Sequence, residues 1–243
     1  MDQCLFCPNQ ADSKEHLFPD WALKKINSRE PIRRKIGKSV LKFTDNLNVE
    51  FRAVCKFCNE NWMSALESSN IPLIGPMIVD ISRTLDVVEQ TIIATWVTKT
   101  AMVLDSIRKP KRFYERPECE NLRITSAIPK ETKIWIGGYI GNGLHAGDSN
   151  YRIQIKGLDV GMGISTTFLL GHFVAQISTV RILPEYNNRT VEVFPHSAWN
   201  KSIFRIWPTK TNSFMWPPQI PFSTNSLAYF HYRWALGSSR MSL

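Results

Sequence analysis

No run in the 243 residues approaches the roughly 18 consecutive apolar residues that a membrane-spanning helix needs. The opening residues Met1-Asp2-Gln3-Cys4 lack the basic and apolar regions of a secretory leader. The expectation is therefore a soluble, cytoplasmic protein with no membrane partner. Cysteine is scarce, with five in the chain, and four of them fall in two Cys-x-x-Cys pairs. In a reducing compartment such pairs read as zinc ligands rather than disulfides. Acidic residues are in deficit, 21 against 30 lysines and arginines, which leaves a net charge of +9. That balance suits a polyanionic partner. There is no internal repeat and no low-complexity tract. With 43% apolar residues the chain can bury a core, either as one large domain or as a small domain joined to a larger one.

The cysteine frame organises the first quarter of the chain. It comprises Cys4-Leu5-Phe6-Cys7 and Cys55-Lys56-Phe57-Cys58-Asn59, with Lys14-Glu15-His16-Leu17-Phe18-Pro19 between them. One Cys-x-x-Cys turn offers two thiolates from a single bend, and two turns complete a tetrahedral set. Cys4, Cys7, Cys55 and Cys58 are therefore the expected ligands of a structural Zn²⁺. Four thiolates leave no open coordination position, so such a zinc would hold the fold and do no chemistry. The fifth cysteine, Cys119, lies between Glu118 and Glu120 and reads as a free thiol.

Inside the frame lies a basic segment. Between Trp21 and Thr44 stand Lys24, Lys25, Arg29, Arg33, Arg34, Lys35, Lys38 and Lys42, against one acid, Glu30. A charge run is ordinarily a solvated face. Beside a metal site it is equally a phosphate-contacting surface, for which Lys24, Lys25, Arg33, Arg34, Lys35 and Lys38 are the candidates. Glu15-His16 is the reactive pair within the same frame. Phosphodiester hydrolysis needs an activated water, a cation on the scissile phosphate and neutralisation of the leaving oxygen. A neutral histidine can be the base. A carboxylate and an asparagine amide, here Glu15 and Asn59, can supply oxygen ligands to Mg²⁺ or Mn²⁺. Neighbouring strand residues point to opposite faces, so both members of the pair can act only if the strand is kinked or a neighbour cooperates.

In order, the pattern predicts a knuckle over 1–13, a strand over 14–19 and a short helix from Asp20 through Ile26. An extended basic segment over 32–43 and a strand over 48–54 follow. A helix from Cys58 or Asn59 should end near Ser68-Ser69-Asn70, before Pro72. Thr84 is placed to cap a long helix reaching Ile107, with Leu85, Val88, Ile92, Trp96, Val103 and Ile107 as its apolar stripe and Val87, Ile93 and Val97 widening it, so that burial on more than one side is expected. Residues 109–120 read as a charged loop. Strands are expected over 122–128, 133–140, 151–157, 162–170, 172–182 and 190–194, with Gly141-Asn142-Gly143 as a turn. The Trp- and Pro-rich tail reads as extended chain clamped by aromatics. The fold class expected is α+β: a zinc-stapled module over 1–70, then a long helix and a β-rich domain over 71–243.

The set Cys-x-x-Cys, Glu-His, Cys-x-x-Cys-Asn resembles the HNH (ββα-metal, treble-clef) endonucleases, most closely the branch of the phage recombination endonuclease VII. The resemblance covers about residues 1–70. It implies zinc on the four cysteines, His16 as general base, and Glu15 and Asn59 as ligands of the catalytic cation. Glu15 stands where that family has Asp. The further ligand expected along the helix is missing, since Met63 stands four residues beyond Asn59. Glu67 lies two turns beyond Asn59, where it can face the same site or simply solvent.

The function expected on this basis is cation-dependent cleavage of DNA, with phage defence or phage biology as a fitting context. The alternatives are a non-catalytic zinc module that binds nucleic acid, and a nuclease acting mainly on RNA. Residues 71–243 carry no nameable chemistry. His145, His172, His196 and His231 read as structural, and the roles open to this region are recognition, regulation through a partner, or self-association.

Overall fold

A computed structural model describes residues 2–26, 32–36, 39–44, 50–108, 111–186, 190–193, 195–233 and 239–242, with side chains described in 2–26, 50–108, 111–186 and 195–231. It is a mixed structure of helices and antiparallel sheets. Strand β1 (Ser13–His16) pairs antiparallel with β4 (Glu50–Val54), and helix α1 (Asp20–Leu23) follows β1. Between them β2 (Ile32–Ile36) and β3 (Ser39–Thr44) form a two-stranded ribbon of their own. The basic extended segment is therefore a hairpin.

Behind β4 the chain turns helical at α2 (Lys56–Cys58), passes through a π-helical stretch at Asn59–Met63 and continues as α3 (Ser64–Ile78). The expected stop before Pro72 does not occur, because α3 runs through Pro72 and Pro76. Pro76 has no N–H to offer the carbonyl four residues back. That carbonyl belongs to Pro72, and the Arg83 guanidinium donates to it and to Leu73 O instead. The expected boundary at residue 70 thus falls inside a helix.

Next come β5 (Arg83–Asp86) and the long helix α4 (Val87–Asp105). Its cap is Asp86 rather than Thr84. The Asp86 carboxylate accepts from Glu89 N, while the Glu89 carboxylate accepts from Asp86 N, a reciprocal box that satisfies two otherwise unpaired donors. The stripe holds in part: Leu85, Ile93, Trp96, Val97 and Val103 are buried as expected, with Ala94, Ala101 and Met102, whereas Val87, Val88 and Ile107 are exposed. The helix is buried on nearly every side, against α3, α5 and strands of the large sheet.

Part of the segment expected as a loop, and the strand expected at 122–128, are instead helix α5 (Arg116–Thr125). Pro117 sits in its first turn, where a missing N–H costs nothing. Glu115 and Glu118 close a second capping box. Two long strands, β6 (Thr132–Ile155) and β7 (Leu158–Ile182), replace the four expected over 133–182. Gly141-Asn142-Gly143 lies within β6, where the pairing register shifts between Gly138 and Gly143 instead of turning. Strand β8 (Thr190–Val193) falls within the expected 190–194. The tail is more regular than expected: β9 (Ile203–Trp207) joins β6, β10 (Ser213–Trp216) joins β5, helix α6 (Thr224–Arg233) follows, and β11 (Ser239–Ser242) pairs with β8.

A single buried cluster runs from Cys4, Phe6 and Val54 through Met63, Ile74 and Trp96 to Phe168, Ile177 and Trp216. The N-terminal module and the rest of the chain therefore share one core. Two arginines of α5 reinforce the junction: Arg116 donates to Cys7 O and Arg123 to Phe6 O. Strand β7 passes the end of α3 at Gly171, whose φ is +59°, and a Cβ there would stand 2.2 Å from Ile78 O. Only glycine meets both demands. Among the described residues no helix is long and apolar enough to cross a membrane.

Candidate metal centre and adjoining cleft

The two Cys-x-x-Cys turns meet where β4 runs into α2. The Sγ atoms of Cys4, Cys7, Cys55 and Cys58 lie within 4.8 Å of one another and all four residues are buried. None is in a disulfide, and Cys7 Sγ and Cys55 Sγ are 3.4 Å apart. The backbone shapes each turn: Cys4 N donates to Asn9 O at 2.7 Å, and Cys58 N points to Cys55 Sγ at 3.4 Å. Burial raises the thiol pKa of Cys58 and pushes that of Cys4 up to about 11. At Cys55 burial acts in the same sense, but the Cys58 N–H and neighbouring thiols outweigh it and hold the pKa below its ordinary value. Four crowded, buried sulfur atoms with N–H donors aimed at them suit a soft cation that takes thiolates, and the cluster can bind a structural zinc ion.

Immediately beside the cluster lies a cleft of about 350 Å³ lined by Glu15, His16, Pro19, Asp20, Trp21, Lys24, Asn59 and Glu67. Each wall has its own origin. Glu15 and His16 come from β1, whose register against β4 shifts between Ser13 and Glu15. Such an irregularity can re-aim side chains that regular alternation would separate, and here both residues reach one cleft. Asp20, Trp21 and Lys24 come from α1 and its end. Asn59 opens the π-helical stretch, a local widening often found at functional sites, and Glu67 lies on the first turn of α3.

The polar contacts settle how these side chains are held. The Asn59 amide donates to Ser13 Oγ at 3.0 Å and to Lys14 O at 2.9 Å, so its nitrogen is engaged by β1 and its oxygen is the group left for a ligand. His16 Nε2 stands 3.8 Å from Glu50 Oε1. The Glu50 carboxylate pKa is lowered mainly by its hydrogen bond from Lys14, at 2.7 Å. The indole N–H of Trp21 is buried without a hydrogen-bond partner.

Glu15 is 4% exposed, and the partner that allows its burial was not expected. Lys99, in the middle of α4, places its ammonium 2.8 Å from Glu15 Oε1 and 3.1 Å from Glu67 Oε1. Burial alone would lower the Lys99 pKa, but the charges of Glu15 and Glu67 override it and hold the pKa above the ordinary value. Lys99 is thus a charged group inside the protein, bridging two carboxylates of the cleft. The one sequence signal for it is a lone lysine, between Thr98 and Thr100, in a helix buried on nearly every side. Among the described residues the four cysteines are the only three or more His, Cys, Asp or Glu side chains closed to metal-ligating spacing. Glu15 and Glu67 meet across the Lys99 ammonium instead.

The remaining candidates divide. Lys24 and Lys25 are exposed at the end of α1, Lys24 on the cleft wall. Arg33, Arg34 and Lys35 lie on β2, and Lys38 lies outside the described residues. Cys119 is buried in α5, and burial raises its thiol pKa to about 12. The other histidines have local partners: His172 Nδ1 contacts Tyr139 O, His196 Nδ1 accepts from Ala198 N, and His231 Nδ1 contacts Thr167 Oγ1 while its ring meets that of His145 edge-on. No protein-family model, no curated protein and no solved structure matches the chain.

Proposed function

We propose that the chain is a metal-dependent endonuclease of the HNH, treble-clef type that hydrolyses phosphodiester bonds in DNA. The observation that carries the proposal is the convergence of Glu15, His16, Asn59 and Glu67 on one cleft beside the four-cysteine cluster. In this reading His16 takes the proton from the attacking water. The Glu50 carboxylate lies 3.8 Å from its Nε2, beyond hydrogen-bond distance. The carboxylates of Glu15 and Glu67 and the amide oxygen of Asn59 are oxygen donors of the kind Mg²⁺ or Mn²⁺ takes, with water and phosphate completing the shell. Such a cation would supply charge neutralisation at the scissile phosphate and the leaving oxygen.

One other cleft residue fits a phosphate guest. Lys24 stands exposed on the wall as a cation for a phosphate oxygen, opposite in sign to Asp20 in the same lining. Lys25, Arg33, Arg34, Lys35 and Lys38 are the further basic residues proposed to contact the nucleic-acid backbone. Zinc on Cys4, Cys7, Cys55 and Cys58 has a structural part only, fixing the β1–β4 ribbon against the helix that carries Asn59. Incubation of the zinc-loaded protein with supercoiled plasmid and Mg²⁺ or Mn²⁺ tests the reading, with nicked and linear DNA expected. Binding without products identifies a non-catalytic nucleic-acid module, and cleavage confined to RNA in a parallel incubation identifies a ribonuclease.

A further inference from the structure

We infer that Lys99 is a positioning residue of the cleft: its ammonium, shared between Glu15 and Glu67, holds one oxygen of each carboxylate so that the pair can receive a divalent cation. The inference rests on the cation-binding reading of the cleft given above.

Three observations carry it. The first is location. Lys99 is 1% exposed and sits in α4 among Trp96, Ala101, Met102 and Val103, all buried. Taking an ammonium out of water is costly, and a methionine of similar length would fill the same space without that cost. The ammonium there is satisfied by two carboxylates, not by its apolar surroundings. The second is stoichiometry of charge. Glu15 alone would neutralise Lys99, yet Glu67 also comes within 3.1 Å. Two carboxylates around one ammonium leave a surplus negative charge, and Glu67, at 23% side-chain exposure, carries it to the cleft. The third is connectivity. Glu15 sits on a short ribbon strand, Glu67 on α3 and Lys99 on α4, the most buried helix of the molecule. The ammonium is the point at which the two acidic walls of the cleft are fixed to that helix.

The positioning depends on both charge and reach. Without the ammonium, Glu15 has no described cation within hydrogen-bond distance and the two carboxylates are no longer held to a common point. A partner that fixes the groups bearing a metal is worth roughly ten- to a hundredfold in metal affinity.

The test uses the full-length, zinc-loaded protein and Mn²⁺ alone, with binding read from loss of the free-Mn²⁺ electron paramagnetic resonance signal. Cooperative melting and retained zinc report the fold of each variant. Lys99→Met is expected to keep zinc but to bind Mn²⁺ about tenfold or more weakly, whereas Lys99→Arg, which keeps charge and reach, stays within a few-fold of wild type. Lys99→Gln, which keeps a hydrogen-bond donor but not the charge, is expected to weaken Mn²⁺ binding about tenfold as well, so it carries the test if Lys99→Met does not fold. Wild-type affinity in folded Lys99→Met or in folded Lys99→Gln overturns the inference. So does tighter binding in Lys99→Met, which would make the ammonium a competitor of the cation. A wild-type protein that binds no Mn²⁺ overturns it too. Wild type that binds Mn²⁺ but leaves DNA intact overturns the nuclease reading and leaves the role of Lys99 standing.

Discussion

The ammonium of Lys99 lies 2.8 Å from the carboxylate of Glu15, 84 residues away in sequence, and both side chains are almost completely buried. This pair joins the edge of the candidate cleft to the central helix of the molecule. Removing one partner of a buried ion pair strands the other charge, at a cost of about 3 kcal/mol or more. Lys99→Ala, which leaves the buried Glu15 carboxylate without its described cation, should therefore lower the melting temperature by around 10 °C in thermal unfolding of the zinc-loaded protein. A melting temperature equal to that of wild type would show that the pair does not contribute to stability.

The four-cysteine cluster predicts metal content. Purified protein should carry about one zinc per chain, measured by elemental analysis. Cys55→Ser should lose most of it, and a strong chelator should abolish cooperative melting of the region around Phe6, Val54 and Met63, which packs on the cluster. Full zinc content in Cys55→Ser would place the metal elsewhere.

Gly171 tests the packing of β7 on α3. An alanine there would need a left-handed backbone and a Cβ 2.2 Å from Ile78 O. The expected loss is at least about 2 kcal/mol, read from urea unfolding. An unchanged midpoint and slope would contradict the close approach of these two elements.

The edge-on pair of His145 and His231 predicts a pH dependence. Burial, and then the neighbouring His231, push the His145 pKa from the usual 6.5 down to about 4, and burial lowers that of His231 as well. As pH falls from 6.5 to about 4, the unfolded chain takes up a proton at His145 that the folded chain does not. Stability is therefore lost as pH falls through that window, by less than the full ~1.4 kcal/mol per pH unit for that proton, because His145 is exposed enough for solvent to screen the interaction. His145→Gln should show a shallower loss than wild type in urea unfolding across the same window. Parallel curves would contradict the assignment.

How much of this was legible in the sequence depends on the range of the interaction. The cysteine frame was legible because two Cys-x-x-Cys turns carry their chemistry in local spacing, and the structure brings all four thiols together. The placing of Glu15, His16 and Asn59 around one cleft also follows from positions close to that frame, whereas the ordinary reading of Glu67 is a solvent-facing or structural residue. Lys99 was not legible, because its meaning depends on a contact 84 residues away. Helix ends failed where tertiary contacts overrode local signals: Arg83 satisfies the carbonyl that Pro76 leaves open, so α3 continues. At Glu115 and Glu118 a capping box turned an apparently charged loop into α5. The Gly141-Asn142-Gly143 signal was real but marks a register shift within a long strand, since β7 pairs on both sides of it.

The proposed chemistry rests on His16, and the most direct measurement is plasmid cleavage by wild type and His16→Ala side by side, in Mg²⁺, at equal zinc content and equal melting temperature. Truncating a general base costs about 10²- to 10⁴-fold in rate. The account predicts nicked and linear plasmid with wild type and, with His16→Ala, a rate lower by that factor while zinc and fold are retained. Cleavage by folded His16→Ala at the wild-type rate would contradict it.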